Sequence, residues 1–381
     1  MNGGEKGVKK LKGVILAGGK GTRMRPLTFL NPKPMLPLIN KPFMEHFISR
    51  LKSYGITDII LSIQYLPETF NEYFGDGKKF GVNLKCIAEE EPLGTCGAVK
   101  NVERYLGNEA FMVFNGDILT TINLKNMIKF HKSKKADITI SLAPVEDPTA
   151  YGLVPIDRDS RVREFLEKPS LEEISTNLIN AGTYIIESHM MGHVPSGENY
   201  SFERGLFPKA LKLGYKIYGF VSDAYWLDLG TPEKYMTAHM DILDKKVDFK
   251  YPYKKVYPNI YIGDGAKYKK DNLTTGPIVI GENTTIGQNT KILPLTVIGN
   301  DCIIDTDSSV SESIIFDGCS IGKNCIIRNS IIARNVKIGS NVRIEGNAIV
   351  GDNSVIEDNN ILRNGIRINV NTKVSEGQIN F

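Results

Sequence analysis

Histidine and cysteine are scarce in this sequence, and neither forms a recognisable metal or redox motif. All five histidines precede residue 240, and the five cysteines show no C-x-x-C spacing and no adjacent histidine. This pattern argues against a zinc site and against a disulfide framework. Because free thiols are typical of reducing compartments, we predict a cytoplasmic protein.

Long apolar runs and a strong charge bias are absent as well. No stretch approaches the roughly 20 apolar residues of a membrane span, and the first residues are polar and glycine-rich. The net charge is only +4, and the lysine-rich stretches carry no pattern of interleaved aromatic residues. We therefore predict neither a membrane nor a nucleic acid as a partner.

The chain is long enough for two domains, and its character changes near residue 250. A length of 381 residues exceeds the usual size of one domain. Up to residue 250, short apolar runs alternate with helical patterns, which predicts an α/β fold with a Rossmann-like, mostly parallel sheet. Such sheets bind ligands at the carboxyl ends of their strands. We predict a ligand-binding α/β domain over residues 1–250 and a different fold over residues 251–381.

A six-residue repeat characterises the last third of the chain. Isoleucine or valine recurs at this interval, often followed by glycine, from Ile280 to Val310 and again from Ile332 to Ile356, with register shifts near 311–321 and 327–332. A hexapeptide period is typical of a parallel β-helix, whose repeated apolar residue fills the axis. Such domains resemble those of many acyltransferases, but this region has no histidine to act as a general base. We predict an element for stacking and homo-oligomerisation.

The stretch Gly18–Pro37, GGKGTRMRPLTFLNPKPMLP, follows the first apolar run. Glycines let backbone N–H groups approach an anion, Arg23 and Lys33 add positive charge, and prolines stiffen the second half. The stretch does not match a Walker A loop, because glycine follows Lys20 where that motif needs serine or threonine. It does not match a dinucleotide-binding fingerprint either, because Met24 stands where a third glycine is needed. The stretch therefore predicts a cradle for a polyphosphate.

This loop resembles the GGxGTRxxPLT and PKP signature of the sugar-nucleotide pyrophosphorylases, or sugar-1-phosphate nucleotidyltransferases. Further motifs follow in the family's order: EEEPLGTCGAV (89–99), FNGD (114–117), YGLV (151–154), FLEKP (165–169), NAGTYI (180–185) and WLDLGTPEKY (226–235). The similarity covers essentially the whole chain, since many members carry a C-terminal left-handed β-helix. It implies a nucleotidyltransferase catalytic domain over residues 1–250 and a left-handed parallel β-helix over residues 251–381.

The resemblance implies transfer of a nucleotidyl group from a nucleoside triphosphate to a sugar 1-phosphate, with release of pyrophosphate. The nucleophile is a phosphate oxygen that is already anionic, so positioning and electrostatics should supply most of the rate. Arg23 would face the β- and γ-phosphates, Lys33 would bridge both substrates, and Lys168 would contact the sugar phosphate. Asp117 and Asp228 would hold Mg²⁺, which favours a few carboxylates together with phosphate oxygens and water.

The same motifs imply the substrate contacts. The resemblance assigns the nucleotide to Leu16, Ala17, Gly18, Gly19, Gly21, Thr22, Arg23, Glu89, Pro92, Gly94 and Thr95. It assigns the sugar phosphate to Gly152, Glu167, Lys168, Asn180 and Thr183. Glu167 would accept hydrogen bonds from ring hydroxyls, and Gly152 would let the backbone approach the ring.

Glu89 bears on the choice of base. Many thymidylyl-, uridylyl- and adenylyltransferases carry glutamine at this position, and an amide offers the donor and the acceptor that their bases require. A carboxylate only accepts, which suits the adjacent N1–H and N2–H₂ donors of guanine. The run EEEPLGT is also similar to mannose-1-phosphate guanylyltransferases, which favours GTP and mannose 1-phosphate. A solvent-facing role for Glu89 stays open at this point.

Three other functions stay open. The first is a sugar-1-phosphate nucleotidyltransferase that uses glucose 1-phosphate, or a related hexose, with dTTP, UTP or ATP. The second is a regulatory relative that binds sugar nucleotide without turnover, although the cations and the two aspartates of the motifs are intact. The third is a bifunctional uridylyl- and acetyltransferase, which the histidine-free C-terminal region opposes.

Overall fold

The computed structural model describes residues 11–167, 172, 174–273 and 276–380. Contacts divide the chain into two compact units, which we describe separately. The first comprises the residues up to Gly19 and Met44–Trp226, and the second comprises Lys20–Phe43 and the residues from Leu227 onward. Most of the glycine- and lysine-rich loop thus groups with the C-terminal part of the chain. The boundary between residues 250 and 251 stays a prediction from sequence.

The first unit combines a mixed sheet with α-helices. Its strands are β1 (Lys12–Ala17), β4 (Asp58–Ile63), β5 (Asn83–Ala88), β6 (Phe111–Asn115), β7 (Ile118–Thr120), β8 (Ile138–Pro144), β9 (Gly152–Leu153), β10 (Leu166–Glu167), β11 (Leu178–Ile186) and β12 (Ile217–Val221). Its helices are α1 (Phe43–Ser53), α2 (Pro67–Phe74), α3 (Gly94–Asn101), α4 (Leu124–Lys134) and α5 (Phe207–Lys212). In the described ranges, no helix has the length and hydropathy that crossing a membrane requires.

The strand order of this sheet confirms the predicted α/β architecture. The order is β10-β9-β11-β6-β1-β4-β5, with β8 beside β11 and β12 beside β8. Strands β6, β1, β4 and β5 run parallel, whereas β11 is antiparallel to both β6 and β8. Val14 and Ile15 of β1 are fully buried, as expected for a central strand covered on both faces.

The second unit contains two short strands, one α-helix and the β-helix. The first three elements are β2 (Pro37–Leu38), β3 (Lys41–Pro42) and α6 (Pro232–Leu243), and β13 (Trp226–Asp228) spans the border between the units. The β-helix strands are β14 (Lys254–Tyr257), β15 (Ile260–Ile262), β16 (Ile278–Ile280), β17 (Thr285–Ile286), β18 (Lys291–Ile292), β19 (Thr296–Ile298), β20 (Ile303–Ile304), β21 (Ser309–Ser311), β22 (Ile314–Ile315), β23 (Ser320–Ile321), β24 (Ile326–Arg328), β25 (Ile331–Ile332), β26 (Lys337–Ile338), β27 (Arg343–Glu345), β28 (Ile349–Val350), β29 (Val355–Ile356), β30 (Ile361–Leu362), β31 (Arg367–Ile368) and β32 (Lys373–Val374).

From β15 onward, the β-helix strands stack into parallel sheets whose repeated apolar residues form one core, whereas β14 pairs with β15 in the antiparallel direction. The two register shifts of the sequence are shortened corners. Ile298 pairs with Ile315 and Ile315 pairs with Ile332, each one residue closer in sequence than the later pair Ile332 and Val350. Both short steps, from Val310 and from Ile327 to the next apolar position, occur at the same corner of successive coils. The axis therefore stays filled although the sequence period changes.

Asparagines at the corners add a second repeat. Asn335, Asn353 and Asn371 all have positive φ, which asparagine tolerates better than most residues. The Asn335 amide donates to Asn353 Oδ1 and the Asn353 amide to Asn371 Oδ1, both at 3.2 Å. Each corner thus turns the chain and also ties one coil to the next.

Candidate active site

Two predicted motifs of the first unit meet at the carboxyl edge of its sheet. Strands β1 and β6 are parallel, with Leu16 opposite Asn115, and Gly116 N–H donates to the Leu16 carbonyl at 2.9 Å. A Cβ on Gly116 would lie 2.7 Å from that carbonyl oxygen, so only glycine fits. This close approach fixes where the half-buried Asp117 leaves the sheet.

Glu89 follows β5 and is bonded within the protein. The Ser62 hydroxyl donates to Glu89 Oε1 at 3.0 Å, and Leu93 N–H donates to Oε2 at 3.3 Å. Glu90 and Glu91 are exposed, whereas Glu89 is half-buried. A purely solvent-facing role for Glu89 is therefore wrong. Each carboxylate oxygen has two lone pairs, so both can accept a further hydrogen bond from a ligand.

The start of α3 is held by a segment that the motifs do not include. Tyr200 O accepts hydrogen bonds from Cys96 N–H and Gly97 N–H, both at 2.9 Å, and the Asn199 amide donates to Pro92 O at 3.0 Å. Gly94 has φ of 68°, and a Cβ there would lie 2.8 Å from Asn199 Oδ1. The chain at 199–200 thus shapes the loop to which the resemblance assigns the base.

The predicted sugar residues lie on neighbouring strands of the same sheet. Gly152 of β9 pairs with Glu167 of β10, and β9 also pairs with β11, which carries Asn180 and Thr183. Thr183 is only 3% exposed, which favours a supporting position over direct ligand contact. Lys168 lies outside the described residues, and of Glu167 only the backbone is described.

Asn180 belongs to a polar network centred on Glu203. The Asn180 amide donates to the Tyr184 hydroxyl at 2.9 Å and to Glu203 Oε1 at 3.2 Å, and Tyr184 donates to the same oxygen at 3.3 Å. The Thr95 hydroxyl donates to Glu203 Oε2 at 3.4 Å. Burial, followed by the charge of Glu203, raises the pKa of Tyr184, so the phenol stays protonated and able to donate.

Glu203 therefore links a predicted nucleotide residue, Thr95, to a predicted sugar residue, Asn180. Glu203 lies outside the motifs that carry the predicted site residues. Its segment SFERGLFP forms a π-helical turn, Phe202–Leu206, followed directly by α5. Because Thr95 and Glu203 lie more than one hundred positions apart, no local pattern could connect them.

In the second unit, the segment Lys20–Phe43, which we call the cationic segment, folds into a compact loop. Gly21 has φ of 58°, its carbonyl accepts from the Thr28 hydroxyl at 2.7 Å, and Met24 N–H donates to it at 2.9 Å. Arg23 is exposed, and the half-buried Lys33 begins a 3₁₀ turn, Lys33–Met35. The predicted polyphosphate cations are thus held on an ordered backbone.

Asp228 of the second unit lies near two cations. Lys234 Nζ is 2.5 Å from Asp228 Oδ2, and a Cβ on Gly230 would contact Asp228 Oδ1 and lie 3.0 Å from Arg23 Nη2. Gly230 therefore leaves room for Arg23 beside Asp228. Lys234 is in the first turn of α6. It lies within the WLDLGTPEKY motif, but the sequence alone predicted no role for it.

Residues 12–245 match the family model described as nucleotidyl transferase. The chain belongs to the nucleotidyl transferase family. Residues 257–379 match the EIF2B subunit epsilon LbH domain, and with the stacked parallel strands this confirms the predicted β-helix. The predicted class of sugar-1-phosphate nucleotidyltransferase is confirmed, so the substrates are a nucleoside triphosphate and a sugar phosphate.

Three relatives of this nucleotidyl transferase are informative. A mannose-1-phosphate guanylyltransferase of Mycobacterium tuberculosis (strain ATCC 25618 / H37Rv) is 42% identical over 72% of this chain and 76% of its own. A UTP–glucose-1-phosphate uridylyltransferase of Synechocystis sp. (strain ATCC 27184 / PCC 6803 / Kazusa) is 33% identical over 81% of this chain and 83% of its own. The crystal structure of HddC from Yersinia pseudotuberculosis complexed with GMP-PN is 34% identical, with a TM-score of 0.52, over 60% of this chain and 97% of that one.

The carboxylates of this nucleotidyl transferase fit a hard divalent cation. The family generally uses a divalent metal ion. In the part of the chain that the structure describes, no three histidine, cysteine or acidic side chains cluster as a metal site. Asp117 and Asp228 offer oxygen donors, and each is partly accessible within its own unit. Such donors suit Mg²⁺, which uses few protein ligands.

Proposed function

We propose that this nucleotidyl transferase transfers GMP from GTP to mannose 1-phosphate, forming GDP-mannose and pyrophosphate. The observation that carries the proposal is the Glu89 carboxylate at the end of β5, half-buried and held by two hydrogen bonds. A fixed group that only accepts hydrogen bonds matches the two adjacent donors of guanine. The relative from Mycobacterium tuberculosis, named for the same reaction, supports it.

The proposed reaction is an in-line displacement. A phosphate oxygen of the sugar 1-phosphate attacks the α-phosphorus of GTP, and the bond to the departing pyrophosphate breaks. Arg23 stabilises the charge that develops on the β- and γ-phosphates, Lys33 holds both substrates, and Lys168 binds the sugar phosphate. Mg²⁺, bound by Asp117 and Asp228, would offset phosphate charge.

The remaining contacts stay proposals with the same assignment. The nucleotide residues are Leu16, Ala17, Gly18, Gly19, Gly21, Thr22, Glu89, Pro92, Gly94 and Thr95. The sugar residues are Gly152, Glu167 and Asn180, with the buried Thr183 in a supporting position. The order on the sheet supports these two groups, because part of the first group lies on β1 or follows β5, whereas β9, β10 and β11 carry the second.

A second function, uridylyl transfer to glucose 1-phosphate, has one observation in its favour. The Synechocystis relative with that name aligns with 81% of this chain, more than the 72% of the mycobacterial relative. Coverage reflects shared architecture, whereas the base is chosen by single side chains. We therefore rank guanylyl transfer first.

Pyrophosphate release with Mg²⁺ tests the proposal. The assay would pair GTP, dTTP, UTP, ATP and CTP with mannose 1-phosphate or glucose 1-phosphate. We expect the highest kcat/KM for GTP with mannose 1-phosphate. Preference for another pair would keep the enzyme class and discard the guanine assignment. No release from any pair would favour a regulatory, non-catalytic relative.

We also propose that the protein is cytoplasmic and that the β-helix forms homo-oligomers. The match of residues 257–379 to an LbH domain supports this proposal, because the strand edges of a β-helix can pair with those of another copy. A mass in solution above the 42.3 kDa of one chain is the expected result, and a strictly monomeric protein would contradict it.

Glu203→Gln should lower kcat/KM by about tenfold, mainly through a higher KM for the sugar 1-phosphate. Glutamine has the shape of glutamate, but its amide N–H groups would face protein groups that themselves donate hydrogen bonds, so these contacts would be lost. At Oε1 these donors are the amide of Asn180 and the hydroxyl of Tyr184. The measurement is initial rate against each substrate separately.

The control for this variant is Glu198→Gln, which removes an exposed charge shortly before the same turn. It should behave as the unmodified protein. If Glu203→Gln changes the thermal midpoint but neither KM, Glu203 only supports the fold and its link to substrate binding is wrong.

A further inference from the structure

The cationic segment is hydrogen-bonded to the β-helix inside the second unit. Arg334, in the corner after β25, extends its guanidinium to the segment, where Nη1 donates to Asn31 Oδ1 at 2.5 Å. Arg367 Nη1 donates to Arg25 O at 3.3 Å, and the Asn40 amide donates to Ile298 O at 2.6 Å. Three coils of the β-helix therefore contact the loop that carries Arg23 and Lys33.

Arg334 is itself held by a buried carboxylate. Its backbone N–H donates to Asp352 Oδ1 at 3.0 Å, and Asp352 is 3% exposed. Burial raises the pKa of Asp352, while the N–H and the guanidinium charge of Arg334 and the side chain of Asn31 act in the opposite direction. A buried charge is tolerated when such partners surround it. Asp352 Oδ2 makes no hydrogen bond to a described residue, so the hydrogen bond from Arg334 N–H to Oδ1 and the nearby guanidinium charge are the contacts that link Asp352 to Arg334.

The hydrogen bond from Arg334 to Asn31 bears on Lys33 because Asn31 lies two residues before it. Only Pro32, with φ of −61°, separates the two residues, and Lys33 opens the 3₁₀ turn with Pro32 as its N-cap. The Met35 N–H donates to Pro32 O at 2.8 Å. Because proline fixes the intervening backbone, restraint at Asn31 is transmitted to the Lys33 backbone.

The far end of the segment is anchored by α6. Ile39 N–H donates to His239 Nε2 at 3.3 Å, and Nδ1–H of the buried His239 donates to the Tyr235 carbonyl at 3.0 Å. The Tyr235 hydroxyl donates to Pro37 O. The C-terminal part of the segment is thus held on α6, and Arg334 holds the segment at Asn31.

We propose that Arg334 and Asp352 of the β-helix are positioning residues for the phosphate-binding lysine, acting through Asn31. The β-helix then contributes to the reaction as well as to stacking, although none of its residues is predicted to touch a substrate. This inference rests on the proposed function only for the role of Lys33. The hydrogen-bonded connection itself is independent of it.

Two variants and a matched control test the proposal. Asn31→Ala removes the acceptor and leaves the Arg334–Asp352 pair intact, and Arg334→Met removes the donor while keeping an apolar stem. Arg328→Met is the control. Arg328 is also an arginine of the β-helix, at the end of β24, but its side chain pairs with Glu312 rather than with the cationic segment. Hydrogen–deuterium exchange of peptides spanning residues 20–36, measured without substrate, reports on the segment directly. Steady-state rates against GTP report on positioning.

We expect faster exchange of these peptides in both variants, unchanged exchange in Arg328→Met, and kcat/KM for GTP lowered about tenfold. The double variant should lose no more than Arg334→Met alone, because both changes break one contact. Exchange identical to the unmodified protein, or losses that multiply, would overturn the proposal. Altered exchange in a protein that turns over no substrate would leave the restraint of the segment by Arg334 standing and reject the proposed function together with the role of Lys33.

Discussion

Asp117→Asn should lower kcat/KM by ~10³-fold or more without unfolding the protein, and Asp228→Asn should do the same. Asparagine has the shape of aspartate but lacks the charge that binds a divalent cation among phosphates. Gly116 fixes the backbone before Asp117 through its contact with Leu16, so the replaced side chain stays in place. Pyrophosphate release over a range of Mg²⁺ concentrations measures the loss.

Neither replacement should change the stability of the protein by much. Asp228 pairs with Lys234 at 2.5 Å, so Asp228→Asn leaves that cation without this partner. Partly exposed ion pairs contribute up to about 1 kcal/mol, which shifts the thermal midpoint by a few degrees. A far larger shift in either variant would mean that the activity was lost through unfolding rather than through loss of the metal ion.

Asp159→Asn and Asp264→Asn are the matched controls, one in each unit. Their carboxylates pair with Lys134 and Lys254 and are 69% and 82% exposed. Titration with Mn²⁺ gives a second readout that does not depend on turnover. If Asp117→Asn or Asp228→Asn retains full activity and Mn²⁺ binding, that residue is not a metal ligand.

The β-helix was predictable because one local rule repeats along the chain. Each coil places an apolar residue on the axis, so a six-residue period appears regardless of what surrounds the coil. The meaning of the register shifts was not predictable. The corner after Val310 is shorter by one residue, which changes the sequence period but leaves Ile298 paired with Ile315. From the period alone, a shortened corner cannot be distinguished from a break in the stack of coils.

The α/β class of the first unit was predictable from the sequence, but the direction of each strand in its sheet was not. Alternation of strands and helices predicts parallel neighbours, and β1, β4, β5 and β6 obey it. Strand β11 is antiparallel to β6 and β8, yet the apolar run at its end, residues 184–186, is one that a parallel strand would also show. An apolar run encodes burial on both faces and carries no information on strand polarity.

Site residues on motifs were predictable, whereas residues that hold the motifs were not. Glu203 and Arg334 each bond to a predicted segment more than one hundred positions away. A single sequence gives no signal for such a contact, since neither spacing nor composition depends on it. Leu16 and the FNGD motif meet for a simpler reason, because the parallel strands β1 and β6 end at the same edge of the sheet.

Glu89→Gln should lower kcat/KM for GTP by ~10–100-fold and raise the relative use of UTP and dTTP. The loop should survive the change. A glutamine oxygen can accept from Leu93 N–H as Oε2 does, and the amide nitrogen can donate to the Ser62 hydroxyl, which rotates to accept. Only the hydrogen-bonding pattern offered to a base then differs.

Competition between GTP and UTP at fixed mannose 1-phosphate measures this selectivity. Glu90→Gln is the control, because the neighbouring carboxylate is exposed. If Glu89→Gln keeps the GTP preference of the unmodified protein, the carboxylate only ties β4 to the start of α3 and guanine is selected elsewhere. If preference shifts while the thermal midpoint does not, recognition of the base depends on Glu89 itself, because the same loop then carries a different selectivity.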